Sequence, residues 1–212
     1  MDVSSPLRSL IPSLDSAVLE VLSGTESGFG PTQLARLAGR GSRAGVQLVL
    51  DRLVEHGLVS AEPTNRGYTY RLNRDHLLTP AVLAAVSVRR ELVARLADAV
   101  TGLGPALLHA SLFGSFARGD GDQDSDIDLF LLMNPSSIEP SGWEAQLRRL
   151  EDLVLGWTGN RLEVLVLDSN GLAAAVQNGE SVISELRTDS LVLTGPDLRS
   201  LIESSAHAIT SS

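Results

Sequence analysis

Two residue types are missing from this chain of 212 residues: it has no cysteine and no lysine. Without cysteine there is no disulfide framework and no thiolate metal site. Without lysine, all seventeen positive side chains are arginines. Long apolar runs are missing too. No window approaches the ~18 consecutive apolar residues of a membrane span. The opening MDVSSPLRSL lacks the basic-then-apolar pattern of a secretion signal. The expectation is a cytoplasmic protein with no membrane partner. Apolar residues make up 43% of the chain, enough for one large domain or two small ones with their own cores.

Charge is uneven along the chain. Residues 1–78 carry eight arginines against eight acids, and residues 79–212 carry nine against eighteen, which places the whole net charge of −9 in the second part. An acidic second part argues against coating nucleic acid by charge alone. It suits a site that holds a metal and a highly charged small molecule.

The first part reads as helices followed by a hairpin. Ser13 is placed to cap a short helix that buries Leu14, Val18, Val21 and Leu22 and stops at Gly24. A second is expected over Thr32–Ala38, before Gly39. Ser42 opens a third, in which Val46, Val49, Leu50, Leu53 and Val54 fall at i, i+3, i+4, i+7 and i+8 before Gly57. In "LVSAEPTNRGYTYRL" two strand-like runs flank Asn65-Arg66-Gly67, with Tyr68, Tyr70 and Leu72 alternating with Thr69 and Arg71. Three helices and a hairpin resemble a winged helix-turn-helix, and "LARLAGRGSRAGVQLVLDRLVEHGLV" looks like its helix-turn-helix core. The resemblance implies that the third helix enters a DNA major groove by its N-terminal part. The residues so placed are Ser42, Arg43 and Gln47, with Arg40 before them and Arg66 at the hairpin tip for a phosphate. Winged helices also serve as dimerisation or docking modules, and Asp51 and Glu55 on the third helix would repel a backbone they faced. Both uses stand, with duplex DNA or a second copy of the chain as partner.

Thr79-Pro80 reads as a cap and first helical residue. Leu83, Val86, Leu92, Val93, Leu96, Val100 and Leu103 then recur at mostly helical spacing to Gly104. The expected organisation is residues 1–78 as the winged helix, 79–104 as a connecting helix and 105–212 as a second domain.

The second domain opens on the densest chemistry in the chain, "LFGSFARGDGDQDSDIDLFLL". Leu107 to Phe113 reads as a buried strand that ends at Gly114-Ser115, a turn whose backbone N–H groups and hydroxyl suit a phosphate. Ile127 to Met133 reads as the next strand. Asp126 and Asp128 stand two apart at its start, so period two places both carboxylates on one face. Two carboxylates beside a phosphate-binding turn suit Mg²⁺, which takes carboxylate oxygens together with substrate phosphates. A calcium loop of the EF-hand type starting at Asp120 fails, since its sixth and twelfth positions hold Ser125 and Leu131 in place of Gly and Glu. A solvated loop accounts for Asp120, Asp122 and Asp124.

The stretch "GSFARGDGDQDSDIDL" resembles the signature of the DNA polymerase β-like nucleotidyltransferase superfamily, closest to its minimal nucleotidyltransferase branch. The matching residues are Gly114, Ser115, Ala117, Arg118, Gly119, Ser125, Asp126, Asp128 and Leu129, and the pattern extends over residues 105–196. The superfamily usually adds a third carboxylate from a later strand. A capping box at Ser141 and Glu144 starts an amphipathic helix through Trp143, Leu147, Leu150, Val154 and Trp157, stopped by Gly159. In the strand that follows, Leu162–Leu167, the only acid is Glu163, which stands where the family more often has Asp. Asp168 at the strand's end is the rival. A helix through Leu172–Leu186, then "SLVLTGP", then a helix near Leu198–Glu203 complete the pattern. Arg187 is the residue set to approach a triphosphate, where many relatives use a lysine.

The expected fold class is α+β: the winged helix, a long helix and a small mixed-sheet α/β nucleotidyltransferase domain. The resemblance implies transfer of a nucleoside monophosphate from an NTP to an acceptor hydroxyl on a protein, an RNA or a small molecule, with Mg²⁺ or Mn²⁺ as cofactor. Asp126, Asp128 and Glu163 would be catalytic and hold metal. Gly114, Ser115, Arg118 and Ser125 would seat the nucleotide. Two alternatives remain open: a DNA-binding regulator that senses nucleotide without turnover, and an antitoxin that modifies or binds a partner toxin.

Overall fold

The computed structural model describes residues 1–65, 67–134 and 140–203, the side chains of 140 and 141 excepted. Arg66, expected at a phosphate, lies outside the described residues. The chain divides into two compact units, Asp2 with Ser4–Arg89, and Met1 and Val3 with Arg90–Ser212.

In the N-terminal unit, a short helix α1 (Pro6–Leu10) that its sequence pattern did not announce precedes α2 (Leu14–Ser23), α3 (Pro31–Leu37) and α4 (Arg43–Glu55). Strands β1 (Val59–Thr64) and β2 (Gly67–Leu72) pair antiparallel from Val59↔Leu72 to Thr64↔Gly67. Val18, Leu22, Leu34, Val46, Leu50, Leu53, Tyr70 and Leu72 are buried together as its core. Ser42 caps α4 as expected, its hydroxyl accepting from the Gly45 N–H at 3.1 Å. Ser13 stands at the N-cap of α2 but does not cap it. Its hydroxyl accepts no helix N–H and instead donates to Asp15 Oδ2 at 2.6 Å.

Helix α5 (Thr79–Thr101) crosses the division between the units, which falls at Arg89/Arg90. The C-terminal unit holds a mixed sheet of strands β3 (Leu107–Phe113), β4 (Ile127–Met133), β5 (Leu162–Asp168) and β6 (Leu191–Thr194) in the order β5-β4-β3-β6. β3 runs antiparallel to both β4 and β6, and β4 runs parallel to β5. The apolar runs are explained by helices on both faces. On one face Leu112, Ile127, Leu129, Leu131 and Leu162 meet Leu92, Leu96 and Val100 of α5 and Leu150 and Val154 of α7 (Pro140–Thr158). On the other, Phe113, Phe130 and Leu132 meet Leu172 and Ala175 of α8 (Ser169–Asn178) and Ile183 and Leu186 of α9 (Ser181–Asp189).

Two helix expectations change. α7 starts at Pro140, so Ser141 lies inside the helix and not at its cap. The single helix expected through Leu172–Leu186 is two, because Gly179 turns left-handed (φ 63°) and closes α8 with backbone bonds to Ala175 and Val176. Among the described residues no helix is long and apolar enough to cross a membrane.

Candidate active site

The site begins where β3 ends. Gly114 follows Phe113 with φ +66°, and a Cβ there would collide with the Asp128 carboxylate. Glycine is therefore required twice over, by backbone sign and by space. Helix α6 (Gly114–Arg118) starts at once, and the Ser115 carbonyl then accepts the N–H groups of Gly119, Asp120 and Gly121 at 3.0, 3.1 and 3.2 Å. Those three hydrogen bonds stop the helix and turn the chain toward β4.

The acidic loop is internally tied. Asp122 Oδ1 accepts from the Ser125 hydroxyl at 2.9 Å and from the Asp124 N–H at 3.0 Å, and the Ser125 oxygen accepts the Asp122 N–H at 2.9 Å. The Ser125 hydroxyl is thus spent within the loop. Asp122, which the sequence left as a solvated residue, shapes it, and these bonds hold its carboxyl below the usual range.

Asp128 lies opposite Phe113 on one side and opposite Glu163 on the other. Neighbours in register share a face. Both carboxylates therefore project on the α8–α9 side, with Phe130, Leu132, Leu165 and Leu167 deeper in the same face. Asp126 is half-buried just before β4. The Asp128 carboxyl is pushed up to about 6, first by burial and then by the charges of Glu163, Asp126 and Glu185, with Arg118 pulling the other way. Glu185, from α9, is a fourth acid at the site that no motif pointed to.

Other expected residues fall differently. Arg118 is exposed and shared between Asp120 (3.2 Å) and Asp189 (3.4 Å). Asp168 is removed from the site. It lies at the far end of β5, opposite Met133, and caps α8 by accepting from the Gly171 N–H at 2.6 Å. Arg187 is exposed on α9. Asn160, in the turn before β5, is buried and reaches the acidic loop: its Nδ2 donates to the carbonyls of Gln123 (3.2 Å) and Ser125 (2.9 Å).

In the N-terminal unit, Arg40 donates to the Ser16 hydroxyl at 2.5 Å, and Gln47 donates to Asp51 at 2.7 Å and to the Tyr70 hydroxyl at 3.0 Å. Arg43 is exposed at the start of α4, as are Ser42, Asp51 and Glu55 further along.

The raised Asp128 pKa makes a stability prediction. Its folded value lies above the model-peptide value of 3.8, so the folded state binds the proton more tightly. Its contribution to stability is full below pH 3.8 and is lost as pH rises through about 6. Discounted for partial exposure, the loss is about 1–2 kcal/mol. In metal-free buffer at pH 7.5, Asp128→Asn should melt roughly 3–6 °C above the unsubstituted protein. At pH 4 the difference should vanish. An equal difference at both pH values would show that charge is not its cause.

Comparison with known proteins bears on this unit. Residues 93–176, which hold β3, α6, β4, α7 and β5, match the family model of the nucleotidyltransferase domain. Over that stretch the chain is similar to a nucleotidyltransferase domain. No curated protein matches the chain. Solved structures that resemble it include a toxin–antitoxin complex with AMP-PNP, at 14% identity over 56% of this chain and 87% of the other, with a TM-score of 0.39. They include a variant of the MntA–HpeT toxin–antitoxin pair, at 14% identity over 56% of this chain and 87% of the other, with a TM-score of 0.40.

Proposed function

We propose that the C-terminal unit transfers a nucleoside monophosphate from an NTP to an acceptor hydroxyl and releases pyrophosphate. One observation carries the reading. A half-buried aspartate, Asp128, is crowded by Asp126, Glu163 and Glu185 and pressed against the glycine that opens a strand-to-helix turn. Surplus negative charge beside such a turn calls for a cation and a phosphate chain together.

The donor set fits Mg²⁺ or Mn²⁺. Among the described residues no three acidic or histidine side chains form a ready-made metal cage. Mg²⁺ seldom uses one. It takes one or two carboxylates plus substrate phosphates and keeps several waters. Asp126 and Asp128 would supply those carboxylates, and an ion bound there would neutralise charge developing on the phosphates. Gly114 and Ser115 would seat the triphosphate through the backbone of the turn. Glu163, next to Asp128, would accept the proton of the acceptor hydroxyl. Arg118 would reach a phosphate by exchanging its aspartate partners for it. Positioning and charge neutralisation would do most of the work, as for phosphoryl transfer generally. Incubating the chain with each labelled NTP, Mg²⁺ and a lysate of the source cells tests the reading. The labelled species identifies both the base and the acceptor, whether a partner toxin, an RNA or a small molecule. If no NTP labels any species, the transferase reading fails and a nucleotide sensor replaces it.

The N-terminal unit is read as a winged helix that brings this activity to duplex DNA. Exposed Arg43 at the start of α4 favours that use. Arg43→Ala should weaken a specific duplex by about 1–3 kcal/mol, and Arg66→Ala should weaken all sequences alike. If no duplex from the protein's own promoter region binds at low salt, the unit is a docking module for protein.

A further inference from the structure

We infer that Asn160 is the positioning residue of the acidic loop, setting where Asp126 stands and so the affinity for the divalent cation that arrives with the nucleotide. The inference rests on the transferase reading above and adds to it a residue outside the motif.

The bonds inside the loop, between Asp122, Asp124 and Ser125, shape it without fixing where it sits. Placement comes from the turn between α7 and β5. Asn160 is 4% exposed, and both hydrogens of its amide are used on loop carbonyls, those of Gln123 and Ser125. The Ser125 carbonyl belongs to the peptide bond that joins Ser125 to Asp126. On the other side of Asp126, the Ile127 N–H donates to the Arg161 carbonyl at 2.9 Å. Asp126 is therefore clamped before and after by two successive residues of one turn. Two residues after Arg161, in β5, stands Glu163, in register with Asp128. The turn thus ties the backbone on both sides of Asp126 to the start of β5, while strand pairing sets Asp128 beside Glu163.

The clamp is itself anchored. The Asn160 N–H donates to Thr158 Oγ1 at 3.0 Å, and that hydroxyl donates to the Val154 carbonyl of α7 at 2.7 Å. Asn160 Oδ1 accepts from the Met1 amino group at 2.9 Å. Carbonyls on one side and an ammonium on the other leave only one orientation for the amide. Without it, two loop carbonyls lose their donors and the loop turns to water for them. Groups that orient metal-binding side chains in this way typically cost 10–100-fold in metal affinity when removed.

The test uses the full chain, with Asn160→Ala and with Asn160→Gln, which keeps the carboxamide on a longer arm. Three quantities are read: the Mg²⁺ concentration for half-maximal transfer, kcat at saturating Mg²⁺, and amide hydrogen exchange over residues 121–126. In Asn160→Ala the half-saturating Mg²⁺ should rise about 10-fold or more, with kcat recovered to within about 3-fold once Mg²⁺ saturates. Exchange in the loop should quicken while β3 and β4 keep their protection. Asn160→Gln should fall between the two, and it decides the matter if Asn160→Ala does not fold. An unchanged Mg²⁺ requirement in a folded variant overturns the proposal, as does a lower kcat that Mg²⁺ cannot restore. If the unsubstituted chain transfers nothing, the transferase reading has failed separately. The clamp is then judged by exchange and by the Mg²⁺-induced rise in melting temperature, which Asn160→Ala should lose and which its retention would overturn.

Discussion

Replacing Asp126 and Asp128 together by alanine is expected to abolish Mg²⁺-dependent NTP binding and lower transfer by about 10³-fold or more, the equivalent of ~4 kcal/mol of lost charge stabilisation. The fold should survive. Asp126 precedes β4, and Asp128 stands at its open end with its carboxyl half-buried among like charges. Neither side chain belongs to the apolar clusters that hold the sheet between its helices. Without metal, the variant should melt at the same temperature as the unsubstituted chain or above it, because the repulsion on Asp128 from Asp126, Glu163 and Glu185 is relieved. Calorimetric titration with Mg²⁺ and NTP measures the binding, and a melt in chelator measures the fold. Equal NTP affinity in the two proteins would remove these aspartates from the site.

Glu163 carries the second large effect. Its register with Asp128 places it on the α8–α9 face of β5, but it is exposed where Asp128 is half-buried. That difference separates their roles. A carboxylate open to solvent can meet an acceptor hydroxyl as it arrives, whereas Asp128 is committed to the interior of the site. Glu163→Gln keeps size and hydrogen bonding and removes the charge. It should keep most NTP binding, which Asp126, Asp128 and the Gly114 turn support, and lose transfer by about 10²-fold or more. Transfer at near the unsubstituted rate would remove Glu163 from proton transfer and leave it as a source of negative field alone.

The parts of this site that could be read without a structure are those governed by period two. Asp126 and Asp128 at the start of one strand, and Glu163 opposite Leu162 and Val164 on another, announce their faces by alternation, and register then brings Asp128 and Glu163 side by side. The Gly114 turn was legible for a similar reason, since glycine after an apolar run marks a backbone that no side chain allows. What escaped depends on partners distant in sequence. Asn160 serves backbone carbonyls 35 and 37 residues away, and a carbonyl leaves no mark in a sequence. Glu185 reaches the site only because α9 packs on the same face, and Arg118 is tied to Asp189 across 71 residues. The break at Gly179 was visible as a glycine, yet an apolar pattern on both sides of it read as one helix. The pairing of β6 with β3 could not be read from two short apolar runs.

If the carboxylate cluster directs attack at the α-phosphorus of an NTP, the fate of the two ends of the triphosphate must differ. The decisive measurement gives the chain, Mg²⁺ and an acceptor-containing lysate the same NTP labelled either at the α- or at the γ-phosphate. The α-label should enter the acceptor, the γ-label should leave as pyrophosphate, and both events should stop in the Asp126→Ala, Asp128→Ala protein. Entry of the γ-label into the acceptor, or α-labelling that persists without the two aspartates, would contradict that role for the cluster.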